Sequence, residues 1–218
     1  MLKASWALLK RDLGQSFKGG AGPLLSCGFY ITLMAMIPLS LGPDPDTLRK
    51  IAPGLSFLCL ALANLLSLER LFERDYEEGL FDLYRLGPLS LELITALKIL
   101  AQWLGTGLSL SLLTPVVMAL LGARPDLLGP GFIASVLGSL SFAAVGGIGA
   151  ALALGARKGG MLIAMIVLPF YIPPVIFGAG LMDMGQNGQA LGLLAAYSLL
   201  VTALSPLAMA AGLRVALN

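Results

Sequence analysis

The chain has 218 residues, of which 57% are apolar and 12% are charged, and its mean hydropathy is +0.89. A soluble domain carries roughly 25% charged residues, so this composition excludes a water-soluble globule, and its hydrophobicity excludes disorder. A net charge of +2 provides no nucleic-acid-binding face, two cysteines make no disulfide scaffold, and the absence of histidine removes His-based acid–base chemistry, His-ligated zinc and His-ligated haem.

At the N-terminus, Leu2, Trp6, Leu9, Leu13 and Phe17 recur at helical spacing, with Lys3, Lys10 and Lys18 between them. That pattern predicts an amphipathic helix over 1–18, lying in the membrane interface with its basic residues near lipid headgroups. Uncharged windows follow at 19–43, 51–68, 99–123, 127–156, 159–182 and 184–213. A spanning helix needs about 17–25 predominantly apolar residues. The windows therefore predict an all-α integral membrane protein with six transmembrane helices near 22–41, 51–68, 99–121, 131–154, 161–181 and 191–213, forming a single domain over 1–218.

No Asp, Glu, Lys or Arg falls well inside these spans. One such charge would cost about 2.5–3.5 kcal/mol, and a coupled carrier keeps it to relay protons or bind ions. Its absence argues against proton- or ion-coupled transport. Eleven Lys and Arg fall on the side of both termini and three (Arg49, Lys50, Arg124) on the other, which predicts cytoplasmic termini.

The loops are short except 69–98, which holds seven of the twelve acids. Leu68, Leu71, Phe72 and Tyr76 predict one apolar helical face, with the charges opposite; Gly79 stops that helix and Gly87-Pro88 the next. One reading is a helix that transmits a push from a soluble partner. The other is a solvated charge run with i,i+4 ion pairs. No GxxxxGK[ST] phosphate loop is present, so energy from ATP must come from another subunit.

In the fourth span, Ser135, Ser139, Ala143, Gly147, Ala151 and Gly155 make a ridge of small residues, which predicts close approach of another helix, in the same subunit in preference to across a dimer. Asn64 and Gln102 are expected to hydrogen-bond between helices. Pro169, Pro173 and Pro174 interrupt the fifth span and are candidates for a gate or hinge, or for a reentrant turn. Met34, Met36, Met161, Met165, Cys27 and Cys59 are expected to pack in the interior. On the outer side Asp44, Asp46, Asp126 and Asp183 form no convincing catalytic pair, and no selectivity ring is evident.

Segment 69–98, with its mixed charges, Gly79, Asp82-Leu83 and Pro88-Leu89-Ser90, resembles the cytoplasmic signature of ABC-2 permeases. The strings Ile51-Ala52-Pro53-Gly54, Leu68-Glu69-Arg70-Leu71-Phe72, Arg157-Lys158-Gly159-Gly160, Leu168-Pro169-Phe170-Tyr171-Ile172-Pro173 and Leu204-Ser205-Pro206-Leu207-Ala208 resemble, in order and spacing, the haem exporter B family of bacterial cytochrome c maturation transporters. One departure is Phe57, where relatives are expected to carry tryptophan.

The resemblance implies a non-catalytic permease subunit of the inner membrane. It binds no cofactor itself and works beside an ABC ATPase that holds ATP. Haem is implied as the substrate of the complex, and release of a haem-loaded periplasmic chaperone as the outcome. Further implied partners are a haem-handling membrane protein, a small membrane subunit, a second copy of the chain and membrane lipid, with no nucleic acid. The resemblance assigns ATPase coupling to Glu69, Arg70, Glu73, Arg74, Glu77, Glu78, Gly79, Asp82 and Pro88, so charge reversal at Glu73, Glu77 or Asp82 is expected to weaken docking. Arg49, Lys50, Arg157 and Lys158 offer charge for haem propionates. A scaffold that moves nothing and a direct haem export channel remain the alternatives.

Overall fold

A computed structural model of the chain describes residues 2–18, 22–42, 44–68, 71–154, 156, 159–182 and 187–217. The described residues form helices and no strands. In order these are α1 (Leu2–Lys18), α2 (Pro23–Leu41), α3 (Pro45–Leu68), α4 (Glu73–Glu77), α5 (Leu80–Leu86), α6 (Leu91–Gln102), a π-helical turn (Trp103–Gly107), α7 (Leu108–Leu120), α8 (Pro125–Leu152), α9 (Gly159–Ala179), a 3-10 turn (Gly180–Met182) and α10 (Asn187–Ala216). Six of the helical stretches are long and apolar enough to cross a membrane: α2, α3, α6 continuing into α7, α8, α9 and α10.

The centre is α8, which packs on α10, α9, α3 and α7. Its small residues make this contact possible. Ser135, Ser139, Ala143, Gly147 and Ala151 are all buried inside the subunit, as the ridge predicted, while Gly155 lies outside the described residues. Ser139 Oγ accepts from Trp103 Nε1 at 3.1 Å and lies 3.0 Å from Ser111 Oγ. Trp103 begins the π-helical turn, a device that shifts the register of the following helix. Phe57 is wholly buried in a slot walled by Gly138 and Gly178, where the ring takes the space a side chain would need.

Prolines recur inside the helices, and each frees the carbonyl four residues earlier. The structure supplies donors for three of these. Ser135 Oγ donates to Ser111 O (before Pro115), Tyr197 Oη to Phe170 O (before Pro174) and Ser205 Oγ to Thr202 O (before Pro206), at 3.3, 2.6 and 3.1 Å. With water absent from hydrocarbon, such side-chain donors are what make the prolines tolerable.

The helix α9 runs unbroken through Pro169, Pro173 and Pro174, so the reentrant alternative is corrected. Pro174 is buried and Pro169 is exposed. Replacing Tyr197 with Phe should cost about 0.5–1.5 kcal/mol, read as a lower Tm in detergent. In a Pro174→Ala background the restored backbone N–H satisfies Phe170 O, so the same substitution should become nearly neutral.

Two further expectations are revised. Asn64 Nδ2 donates to Leu60 O of its own helix, at 2.9 Å, instead of crossing to a neighbour, whereas Gln102 Nε2 does cross to Ser67 Oγ at 2.6 Å. Met34 and Cys59 are buried and Cys27 is half-buried, but Met36, Met161 and Met165 stand on the outer surface. A lipid-facing surface is as apolar as the interior, so an apolar window does not imply packing against protein.

Candidate functional site

At one end of the bundle, α1, α4, α5 and the start of α6 meet around a buried group of charges. Two breaks shape this end. Gly79 adopts φ +68, a left-handed conformation that costs glycine little, and turns the chain between α4 and α5. Ser90 caps α6 by accepting the Leu93 N–H on Oγ at 3.3 Å, so the Pro88-Leu89-Ser90 string is a helix stop followed by a helix start.

Lys98 lies two turns into α6 and its side chain is 5% exposed; Asp75 of α4 is 3% exposed. Lys98 Nζ is 2.7 Å from Asp75 Oδ2 and 3.5 Å from Asp12 Oδ2. Arg11 Nη2 reaches Asp12 Oδ1 at 2.7 Å and Asp75 Oδ2 at 3.2 Å, and donates to Tyr84 Oη at 2.7 Å. Tyr84 in turn donates to Asp75 Oδ2 at 2.8 Å. Two cations and two carboxylates cancel, and each reaches a partner from another helix. The ammonium of Lys98 also sits 6.0 Å from the Phe72 ring centroid.

Burial opposes ionisation of Asp75, but Lys98, the Tyr84 hydroxyl and Arg11 outweigh it and hold the carboxyl below its usual range. Burial and the bond to Asp75 push the Tyr84 phenol up, so it remains a donor. A depressed carboxyl contributes stability above its unfolded value of about 3.9 and loses it as pH falls through the lower folded value. The network therefore stays closed through the neutral range.

This centre differs from the sequence expectation in two ways. Asp75, not Tyr76, joins Leu68 and Phe72 in the buried face of the segment, and Tyr76 is exposed, because an ion partner waits for Asp75 on α6. The docked face of α1 is Leu8 and Asp12, while Trp6, on the predicted apolar face, is 68% exposed. The missed signal was modest: Lys98 is the last charge before a 25-residue uncharged window, and Arg11-Asp12 interrupts a basic helix.

The predicted coupling residues separate by direction. Glu69 and Arg70 lie outside the described residues, as do Arg157 and Lys158. Arg74 and Glu78 form an exposed i,i+4 pair at 2.9 Å. Glu73 and Glu77 border a cleft of about 730 Å3 between α4 and the adjoining ends of α3, α8 and α9. Asp82 and Pro88 are exposed, with Leu83 and Leu86 exposed beside Asp82. Arg214 at the end of α10 pairs with Glu92 at the start of α6.

Six spanning helices around a hydrogen-bonded core, with a charged helical segment fastened across one end, define a multi-pass integral membrane protein. The chain matches the family model for CcmB protein over residues 3–216, and it belongs to that family as a multi-pass protein of the inner membrane. It is 43% identical over 217 residues to heme exporter protein B of Paracoccus denitrificans, covering 97% of this chain and 99% of the relative. The same-named protein of Rhodobacter capsulatus is 37% identical over 220 residues, covering 97% and 99%. That of Escherichia coli K12 is 35% identical over 218 residues, covering 98% and 99%.

Proposed function

We propose that this chain is the permease subunit of an ATP-driven exporter serving cytochrome c maturation, with haem as the cargo of the assembly and a partner ATPase engaging α5. The observation that carries this reading is a pair of exposed leucines on a braced segment. Leu83 and Leu86 are 61% and 87% exposed. On a spanning helix such residues face lipid, but α5 lies outside the spans, where an exposed apolar face marks a contact site. Asp82 is in register with Leu86 at i,i+4, as is Leu83 at i,i+3. The name of the similar proteins supplies the cargo, and the Lys and Arg count puts this end in the cytoplasm, where ATP is available.

The charge centre makes α5 a lever. A push on α5 reaches Asp75 through Tyr84, and from Asp75 it reaches α6 through Lys98 and α1 through Arg11. Because no charge can leave the centre without stranding another, the group moves as a body. The triple-proline stretch of α9 is the hinge candidate for the response, which in this reading ends in release of the haem-loaded chaperone outside.

Two exposed apolar anchors at a contact centre are worth more than 1 kcal/mol each. Leu83→Asp with Leu86→Asp should therefore cut co-purification of the ATPase by about tenfold or more while the chain stays folded. Charge reversal at Asp82 should weaken it less. Co-purification at the level of the unaltered protein would remove the basis for ATPase coupling through α5.

A further inference from the structure

The helix α1 is fastened to the bundle by one side. Leu8 and Asp12 are buried, whereas Lys3, Trp6 and Lys10 are exposed and, at spacing i, i+3 and i+7, share the side opposite that docked pair. Leu9 and Leu13 are half-buried on the flank beside Trp6. The helix contains one acid, Asp12, and it is turned into the charge centre. No carboxylate of α1 therefore offsets the two ammonium groups on the outward side, and neither lysine makes an ion pair among the described residues.

Packing also sets the depth of this helix. It lies against α6 and the π-helical turn, and that turn is inside the spanning stretch Leu91–Leu120. The outward side of α1 thus runs at the level where the third span enters the membrane. A soluble acidic partner would suit the lysines but not an exposed tryptophan flanked by leucines. At a membrane surface all three find their medium: the indole sits at headgroup level, the leucines meet acyl chains, and the lysine stems carry their ammonium groups up to phosphate.

We propose that the Lys3–Trp6–Lys10 face of α1 binds the headgroup of an anionic phospholipid. The inference needs α1 at the membrane surface and depends on neither haem nor the ATPase. The phosphodiester accepts from the two ammonium groups, and the indole N–H of Trp6 supplies a third donor. The adjoining Arg11 and Asp12 belong to the charge centre. A lipid held on the outward side therefore clamps α1 between the leaflet and α6, and gives the centre a fixed point.

The test places the full chain in phosphatidylcholine nanodiscs with a minor fraction of phosphatidylglycerol, one lipid or the other carrying dibrominated chains. Bromine quenches Trp6 from an adjoining lipid, and a Trp6→Phe chain supplies the background from Trp103. Quenching should report phosphatidylglycerol enriched about tenfold over phosphatidylcholine beside Trp6, the effect of two lysines near a charged surface. High salt should lower that enrichment. Lys3→Gln with Lys10→Gln should bring the ratio to about one while the unfolding midpoint in phosphatidylcholine alone stays unchanged. Added phosphatidylglycerol should raise the midpoint of the unaltered chain and not that of the double variant. Equal quenching by the two lipids, or an enrichment that the double variant leaves in place, overturns the proposal. In the assembly purified with its ATPase, the double variant should keep every subunit; loss of one would assign this face to a protein and overturn the proposal as well. Failure of the α5 variants leaves the lipid measurement readable, because it involves no ATPase.

Discussion

Asp75→Ala should destabilise the chain by about 3–5 kcal/mol, the cost of leaving a buried charge without its partner. Lys98 would keep Asp12 at 3.5 Å but lose the 2.7 Å contact with Asp75. The Tyr84 hydroxyl would lose its acceptor and Arg11 would lose its link to α4. The expected readouts are a lower unfolding midpoint in detergent and faster protease cleavage of α1. A second variant separates stability from mechanism. Asp75→Leu combined with Lys98→Met removes both charges and leaves the Arg11–Asp12 pair, so most of the stability should return. Under the proposed coupling, ATP-driven transport should not return, because the Asp75–Lys98 link between the loop and α6 is gone. Recovery of transport in the double variant would show that the charge centre is structural and not a transmission element. Asp75→Asn offers an intermediate case, since it retains a hydrogen-bond acceptor for Tyr84 but no charge for Lys98.

Gly178→Ala should also be severe, with a sign opposite to the local rule. In a helix interior alanine is favoured over glycine by about 1 kcal/mol. Here the added Cβ would sit 2.1 Å from Cε1, 2.2 Å from Cδ1 and 2.6 Å from Cγ of Phe57. The ring is wholly buried and the same edge also lies against Gly138, where an added Cβ would sit 3.0 Å from Cε1, so it has little room to move aside. Overpacking of this kind costs about 1–3 kcal/mol, occasionally more. The substitution should lower the unfolding midpoint and the yield of folded protein. Phe57→Leu in the same chain should recover part of the loss, making the pair strongly non-additive. Additive effects would mean that the slot between α3, α8 and α9 is looser than its geometry.

The departure at Phe57 thus has a structural context that no single residue displayed. Its slot is made by glycines 40 residues apart, Gly138 and Gly178, which become neighbours only when α8 and α9 pack. The same limit applies to the charge centre. Arg11, Asp12, Asp75 and Lys98 were each visible as charges, and Arg11 and Lys98 entered the count for membrane orientation. Nothing in their spacing showed that 64 residues of chain separate Arg11 from its partner Asp75. The stop at Gly79 and the start after Pro88 were legible because they depend on local backbone chemistry.

Amino-acid order alone established that the chain is helical, that it crosses a membrane six times and that its one long charged loop joins the second and third spans. These follow from composition over windows of about 20 residues, because hydrocarbon accepts little else. Packing decided which faces turn inward. Lipid and protein interior are equally apolar, so hydropathy cannot tell them apart. The distinction falls to serines, glycines and proline-freed carbonyls such as Ser111 O and Phe170 O, whose partners lie on other helices. Packing also divided the charged loop, bracing Asp75 inside and leaving Glu73 and Glu77 exposed, since a carboxylate is buried only where three dimensions bring it a cation.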